Sequence, residues 1–240
     1  MGGVQRQLIF GASPANALER LRSYTWFERD FLGADVADFT VVGDGSKSFA
    51  VGTTLNGWLG VSPGSTTDND ECYGITPTAF SFAANKPVFF SASCKLTEAN
   101  TDDSNIVLGF STIGTANFLV DNGAGPAANY DGALFFKVDG DMHWQTETSH
   151  TTTQQTNATA AVFASATTYE LGIYWDGSAS VFFYLDRSLI ATHTTANALP
   201  TSNMGIVFGC KNGGTNQETL LADWVVVQGS RIASADGSIN

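Results

Sequence analysis

Short apolar runs separated by turn-forming residues fill the chain from about residue 38 onward. They fall at 39–42, 58–61, 79–82, 88–96, 106–113, 133–138, 169–175, 180–186, 204–208 and 220–227. Between them lie clusters of Gly, Asn, Asp and Pro, as at 62–69, 121–126 and 211–216. β-prone runs at this spacing predict an antiparallel sandwich or barrel. No helical window interrupts them, which argues against a parallel βαβ sheet. Alternation assigns faces: Tyr169, Leu171, Ile173 and Trp175 share one side, Thr168, Glu170 and Gly172 the other, so this strand has one wet face. In 181–185, by contrast, Val181, Phe183 and Leu185 alternate with Phe182 and Tyr184. Apolar on both faces, that strand is expected at the centre of a two-layer stack or at an interface. Asp139-Gly140 and Asp176-Gly177 predict hairpin turns that need positive φ.

The first thirty residues read differently. Ser13 followed by Pro14 is a helix start, a capping hydroxyl and then a residue with φ preset for the first helical position. Leu18, Leu21 and Tyr24 follow at spacings of three, a narrow apolar stripe. With Arg6, Arg20, Arg22 and Arg29 against Glu19, Glu28 and Asp30, residues 1–31 carry a net charge of +1. So short a helix is marginal alone in water and must dock on something, its own body or a larger acidic assembly. The expected organisation is an arm over 1–32, a sandwich over 33–230 and a polar tail over 231–240. The candidate docking residues are Leu18, Arg20, Leu21, Arg22, Trp26 and Phe27.

Composition narrows the class. The 240 residues include 17 Phe and 5 Trp, distributed along the body as one continuous core would require. Lys and Arg number 11 against 23 Asp and Glu, a net charge of −12 that excludes nucleic-acid binding through a basic face. No apolar run approaches the ~20 residues of a membrane-spanning helix. The opening residues hold an apolar run of only Leu8, Ile9 and Phe10, unlike a secretory signal. Cys72, Cys94 and Cys210 are an odd set without metal-ligand spacing, so a reducing cytoplasm is the expected place of synthesis and a disulfide framework is not.

Catalytic patterns are missing. Retaining glycosidases need paired carboxyls about 5–5.5 Å apart. Glu19, Glu28, Glu71, Glu98, Glu147, Glu170 and Glu218 never fall two to a strand. Asp139, Asp141 and His143 alternate, but the Asp139-Gly140 turn breaks their face apart, and Asp68-Asn69-Asp70-Glu71 lacks the glycine and spacing of a calcium loop. Cys94, in phase with Val88, Phe90, Ala92 and Leu96, reads as a buried thiol. Neither a cofactor nor a metal is expected. Trp58, Tyr130 and Trp144 lie near turn-rich segments and are candidates for presenting rings to sugars, although core packing is the commoner fate of such rings. The stretch 146–156, rich in Thr and carrying His150, reads as a solvated edge strand or loop that can pair with another subunit.

Two segments resemble a known superfamily. Residues 171–177 (LGIYWDG) with 181–186 (VFFYLD), and the run 221–227 (LADWVVV), are similar to a hairpin and a closing strand common in concanavalin A-like, laminin-G-like jelly rolls. The pattern covers about 38–230, the motifs only 169–228, and Asp186-Arg187-Ser188 departs from the usual Asp-Gly turn. The resemblance implies an all-β, two-sheet antiparallel jelly-roll sandwich, here with a short N-terminal helical arm. That fold hosts lectins, glycosidases, adhesins and virion proteins, so fold alone does not give activity. Sandwiches resembling this one occur among tailed-phage structural proteins. The expectation is therefore a non-enzymatic capsid decoration (cement) protein, made without a signal peptide and residing on the virion surface. It would dock its arm on the major capsid protein and self-associate as a homotrimer, without membrane or nucleic acid. The alternative is a lectin-like module binding surface glycans through Trp58, Tyr130, Trp144 or His150.

Overall fold

The computed structural model describes residues 24–32, 36–52, 57–98, 100 and 102–230. Its strands are β1 (Tyr24–Asp30), β2 (Thr40–Gly43), β3 (Ser48–Val51), β4 (Leu59–Ser62), β5 (Glu71–Ile75), β6 (Val88–Leu96), β7 (Ser104–Ser111), β8 (Leu119–Val120), β9 (Gly125–Pro126), β10 (Gly132–Lys137), β11 (His143–His150), β12 (Thr153–Val162), β13 (Thr168–Trp175), β14 (Val181–Leu185), β15 (Ser188–His193), β16 (Gly205–Asn212) and β17 (Leu220–Ser230). Two antiparallel sheets stack face to face. Sheet A runs β15-β14-β13-β6-β17-β4-β3, with β1 also paired to β17, and sheet B runs β12-β11-β10-β7-β16-β5-β2. This is the expected two-sheet sandwich.

The core between the sheets follows from period-two alternation. Phe90, Ala92 and Cys94 on β6, Leu171 and Ile173 on β13, and Val225 and Val227 on β17 point in from sheet A. Ile106, Leu108 and Phe110 on β7 and Ile206 and Phe208 on β16 answer from sheet B. Rings cross the gap edge to face, Phe90 on Phe110 at 5.5 Å and Phe135 on Phe183 at 5.3 Å, a geometry their quadrupoles favour. A second apolar cluster lies on the outside of sheet B. There Tyr73, Val107, Leu134, Phe136 and Val207 are covered by Phe118, Leu119 and Tyr130 from the loop 112–131, which carries the β8–β9 hairpin.

Three expectations change. The helix placed from Ser13 lies outside the described residues, as do Leu18, Arg20, Leu21 and Arg22. From Tyr24 the chain is strand, paired with β17 from Tyr24↔Ser230 to Asp30↔Trp224, so a helical arm is not supported. Aromatic and β-branched residues at 24–27 suit a pleated surface, and Phe27 packs edge-on against Phe39 and Phe80, each at 6.5 Å. The Thr-rich stretch divides in two: β11 is buried along nearly its whole length, and only β12 is an edge strand. Its polar residues are buried because each finds a partner, Thr146 and Thr148 on His193 and Glu147 on Tyr130, Gln154 and Thr156. Finally, β14 is not central but next to the sheet's edge, and its outward residues Phe182 and Tyr184 are half-exposed.

Candidate functional site

The outer face of sheet A carries the exposed rings. Strand register sets them in rows across the sheet: Phe89 lies opposite Tyr174, and Tyr174 opposite Phe182, with the last two stacked at 6.0 Å. In the next row Val226, Ser91, Gly172, Tyr184 and Leu189 are successive partners. Beyond it come Trp224, Ser93 and Glu170. The middle row is low because Ser91 and Gly172 are small. It leaves an open cleft of about 220 Å³ lined by Phe89, Ser91, Glu170, Gly172, Tyr184 and Arg187. One wall is aromatic and the opposite rim is charged.

The rim is held by an unusual turn. Asp186 and Arg187 both adopt left-handed backbone, φ 48° and 69°, the geometry of a two-residue hairpin that normally selects Asn-Gly or Asp-Gly. Asp186 is tied on both sides, its N–H donating to Glu170 O at 2.8 Å and its Oδ1 accepting the Glu170 N–H at 2.9 Å. Arg187, with no glycine's freedom, stores strain there. Its Nε lies 3.2 Å from Glu170 Oε2, and its side chain is 84% exposed. The departure from Asp-Gly therefore keeps a tight turn and adds a guanidinium at the cleft mouth.

The residues predicted for ligand contact do not assemble. Trp144 is 1% exposed and sits in the core against Phe135, Phe163 and Tyr169. Tyr130 is buried, its hydroxyl donating to Glu147 Oε1 at 2.6 Å. Trp58 is half-buried, one residue before β4. His150 is half-buried, with Nδ1 3.0 Å from Asp131 Oδ2. Burial pushes the Asp131 carboxyl up, but N–H bonds from Thr151, Thr201 and Ser202, with His150, outweigh it and hold the group well below the usual carboxylate range. Trp26 lies on β1, and Phe27 packs against the core. Phe89, Glu170, Gly172 and Arg187 escaped prediction because only the lateral register brings three strands' residues to one spot. The trace in the sequence was the doubly apolar alternation at Phe182 and Tyr184.

Two features bear on catalysis. Glu71 and Glu147 both face outward from sheet B, but β16, β7 and β10 stand between their strands. At about 4.8 Å per strand the two backbones are about 19 Å apart, against the roughly 5–10 Å of a glycosidase pair. Burial raises the Glu147 pKa despite bonds from Thr156, Tyr130 and Gln154. Among the described residues, no three His, Cys, Asp or Glu are grouped to hold a metal.

No family model and no curated protein matches the chain. Solved structures do. Lectin II from Ulex europaeus aligns with a TM-score of 0.60 at 13% identity, covering 85% of this chain and 98% of the lectin. A potassium-bound form of the Emp46p carbohydrate recognition domain aligns at 0.56 and 8% identity, covering 83% and 94%. An endo-1,3-β-glucanase from Streptomyces sioyaensis aligns at 0.58 and 14% identity, covering 86% and 96%. The fold is that of the concanavalin A-like lectins and glucanases. Nothing links the chain to virion proteins.

Proposed function

We propose that this chain is a non-enzymatic, lectin-like module that binds a neutral glycan in the Phe89–Tyr184 cleft. The observation that supports it is the pairing of an aromatic wall with a polar rim over a floor of Ser91 and Gly172. A sugar ring has an apolar C–H face that stacks on Phe89 or Tyr184, and hydroxyls that need the acceptor of Glu170 and the donors of Arg187. Ligand sites of this kind are mostly apolar, with few placed polar groups. A net charge of −12 opposes polyanionic sugars. The carbohydrate-recognition fold of the neighbours favours this reading over capsid decoration, whose anchoring arm lies largely outside the described residues.

The test is titration calorimetry on a hit from a glycan array, with Phe89→Ala, Tyr184→Ala and Gly172→Val. A Cβ at Gly172 meets Tyr184 Cβ at 3.4 Å and Phe89 Cε2 at 3.7 Å, ordinary contacts. Valine therefore keeps the strand and fills the floor. Each variant is expected to lose about tenfold in affinity or more, the ~1.4 kcal/mol of a modest hot spot. Unchanged affinity in all three, or no glycan bound by the wild type, would refute the reading.

A further inference from the structure

We propose that Lys211 is this chain's resident cation: its ammonium fills an oxygen cage beneath the β8–β9 hairpin, and the loop is ordered without any added metal. Lys211 lies opposite Glu71 in the β16–β5 register, and its side chain is fully buried. Four oxygens surround Nζ: Glu71 Oε2 at 3.3 Å, Asn117 Oδ1 at 3.2 Å, Leu119 O at 2.9 Å and Asp121 Oδ1. An ammonium has three N–H groups and accepts nothing, so the oxygens outnumber its donors. Two carboxylates, an amide oxygen and a peptide carbonyl are the donor types that hard cations take.

The loop is built to deliver these groups. Residues 117, 119 and 121 supply three of the four oxygens from alternate positions, and left-handed backbone at Asn117 and Asn122, φ 58° and 61°, bends the chain around them. The sheet answers in kind. Glu71 Oε1 accepts the Asn117 N–H at 2.7 Å, and the Tyr73 hydroxyl accepts the Leu119 N–H at 3.1 Å while donating to Glu71 Oε2 at 3.0 Å. Every link converges on the Lys211 ammonium, and with it in place the loop lays Phe118 and Leu119 on the outer core. The residues here suit an ion such as the potassium of the Emp46p form in chemistry, but the space is taken by Lys211, so a metal at this cage does not fit the native chain.

The experiment is thermal unfolding of the full chain in potassium, sodium or calcium salts at equal ionic strength, and with EDTA. The wild type is expected to melt identically in all four. Lys211→Ala, which leaves Glu71 and Asp121 facing each other without their cation, is expected to melt roughly 10 °C lower and to recover part of that with potassium or methylammonium. Tetramethylammonium, too large and without an N–H, should restore nothing. A wild type stabilised by calcium or potassium over sodium, or weakened by EDTA, would overturn the proposal, as would a variant that responds equally to every cation. Should Lys211→Ala fail to fold, Asp121→Asn decides, since Asp121 is half-exposed and its loss is tolerable. Amide exchange at Asn117 and Leu119 should then rise about tenfold while β16 stays protected, and unchanged exchange at both amides would overturn the proposal.

Discussion

Acidification from pH 7 to 4 strikes this sandwich at His193. Its ring is 1% exposed, with Thr146 Oγ1 3.1 Å from Nε2, Thr148 Oγ1 3.1 Å from Nδ1, and the Phe183 ring at 4.8 Å. A neutral imidazole donates from one nitrogen and accepts at the other, and two hydroxyls can serve both. Burial lowers its pKa from 6.5 to about 4. The unfolded chain therefore takes up a proton near pH 6.5, while the folded chain refuses it until about pH 4, so stability falls as pH drops through this window. The slope approaches about 1.4 kcal/mol per pH unit, and the whole loss is roughly 3 kcal/mol. Urea unfolding at half-unit pH steps measures it. Glu147 and Asp139, whose pKa values are raised mainly by burial, act in the opposite sense, so the difference between wild type and His193→Gln is the informative quantity. The variant is expected to be less stable at pH 7 but flatter below it. Parallel curves for the two proteins would refute the buried neutral imidazole.

Two further outcomes follow from the packing and the rim. Trp144→Ala empties a core site among Phe135, Phe163 and Tyr169, so denaturant titration should show a loss of about 3–5 kcal/mol. Whatever folds at low temperature should still bind glycan, since the ring never reaches the surface. Arg187→Gly relieves left-handed strain at φ 69° and should stabilise the chain by about 0.5–1 kcal/mol while weakening glycan binding in the same calorimetric assay.

The sequence exposed those parts of the fold where hydrophobicity alone decides. The run at 88–96 is β6 to the residue, and the faces assigned in 169–175 are those of β13. Gly140 and Gly177 adopt the positive φ, 77° and 80°, that their Asp-Gly turns predict. Strands held by polar pairing stayed hidden. In β11 the inward positions are Thr146 and Thr148 and the outward ones Gln145, Glu147 and Ser149, all buried, and no hydropathy pattern distinguishes them from a loop. Glu71 read only as the last acid of the 68–71 run because its partners, Lys211 and Asn117, lie 140 and 46 residues away. The cleft was equally illegible. It depends on Ser91 and Gly172 being neighbours across two strands, and one strand's alternation carries no lateral information.

β17 joins three parts of sheet A, pairing with β6 along one edge and with β4 and β1 along the other. On the ribosome, then, β1 and β4 wait without this neighbour until residues 220–230 emerge, some two hundred positions after Tyr24. Such late, distant closure makes for slow assembly and leaves sticky ribbon edges open in the meantime. A truncation that trims β17 should therefore yield inclusion bodies rather than a slightly smaller sandwich.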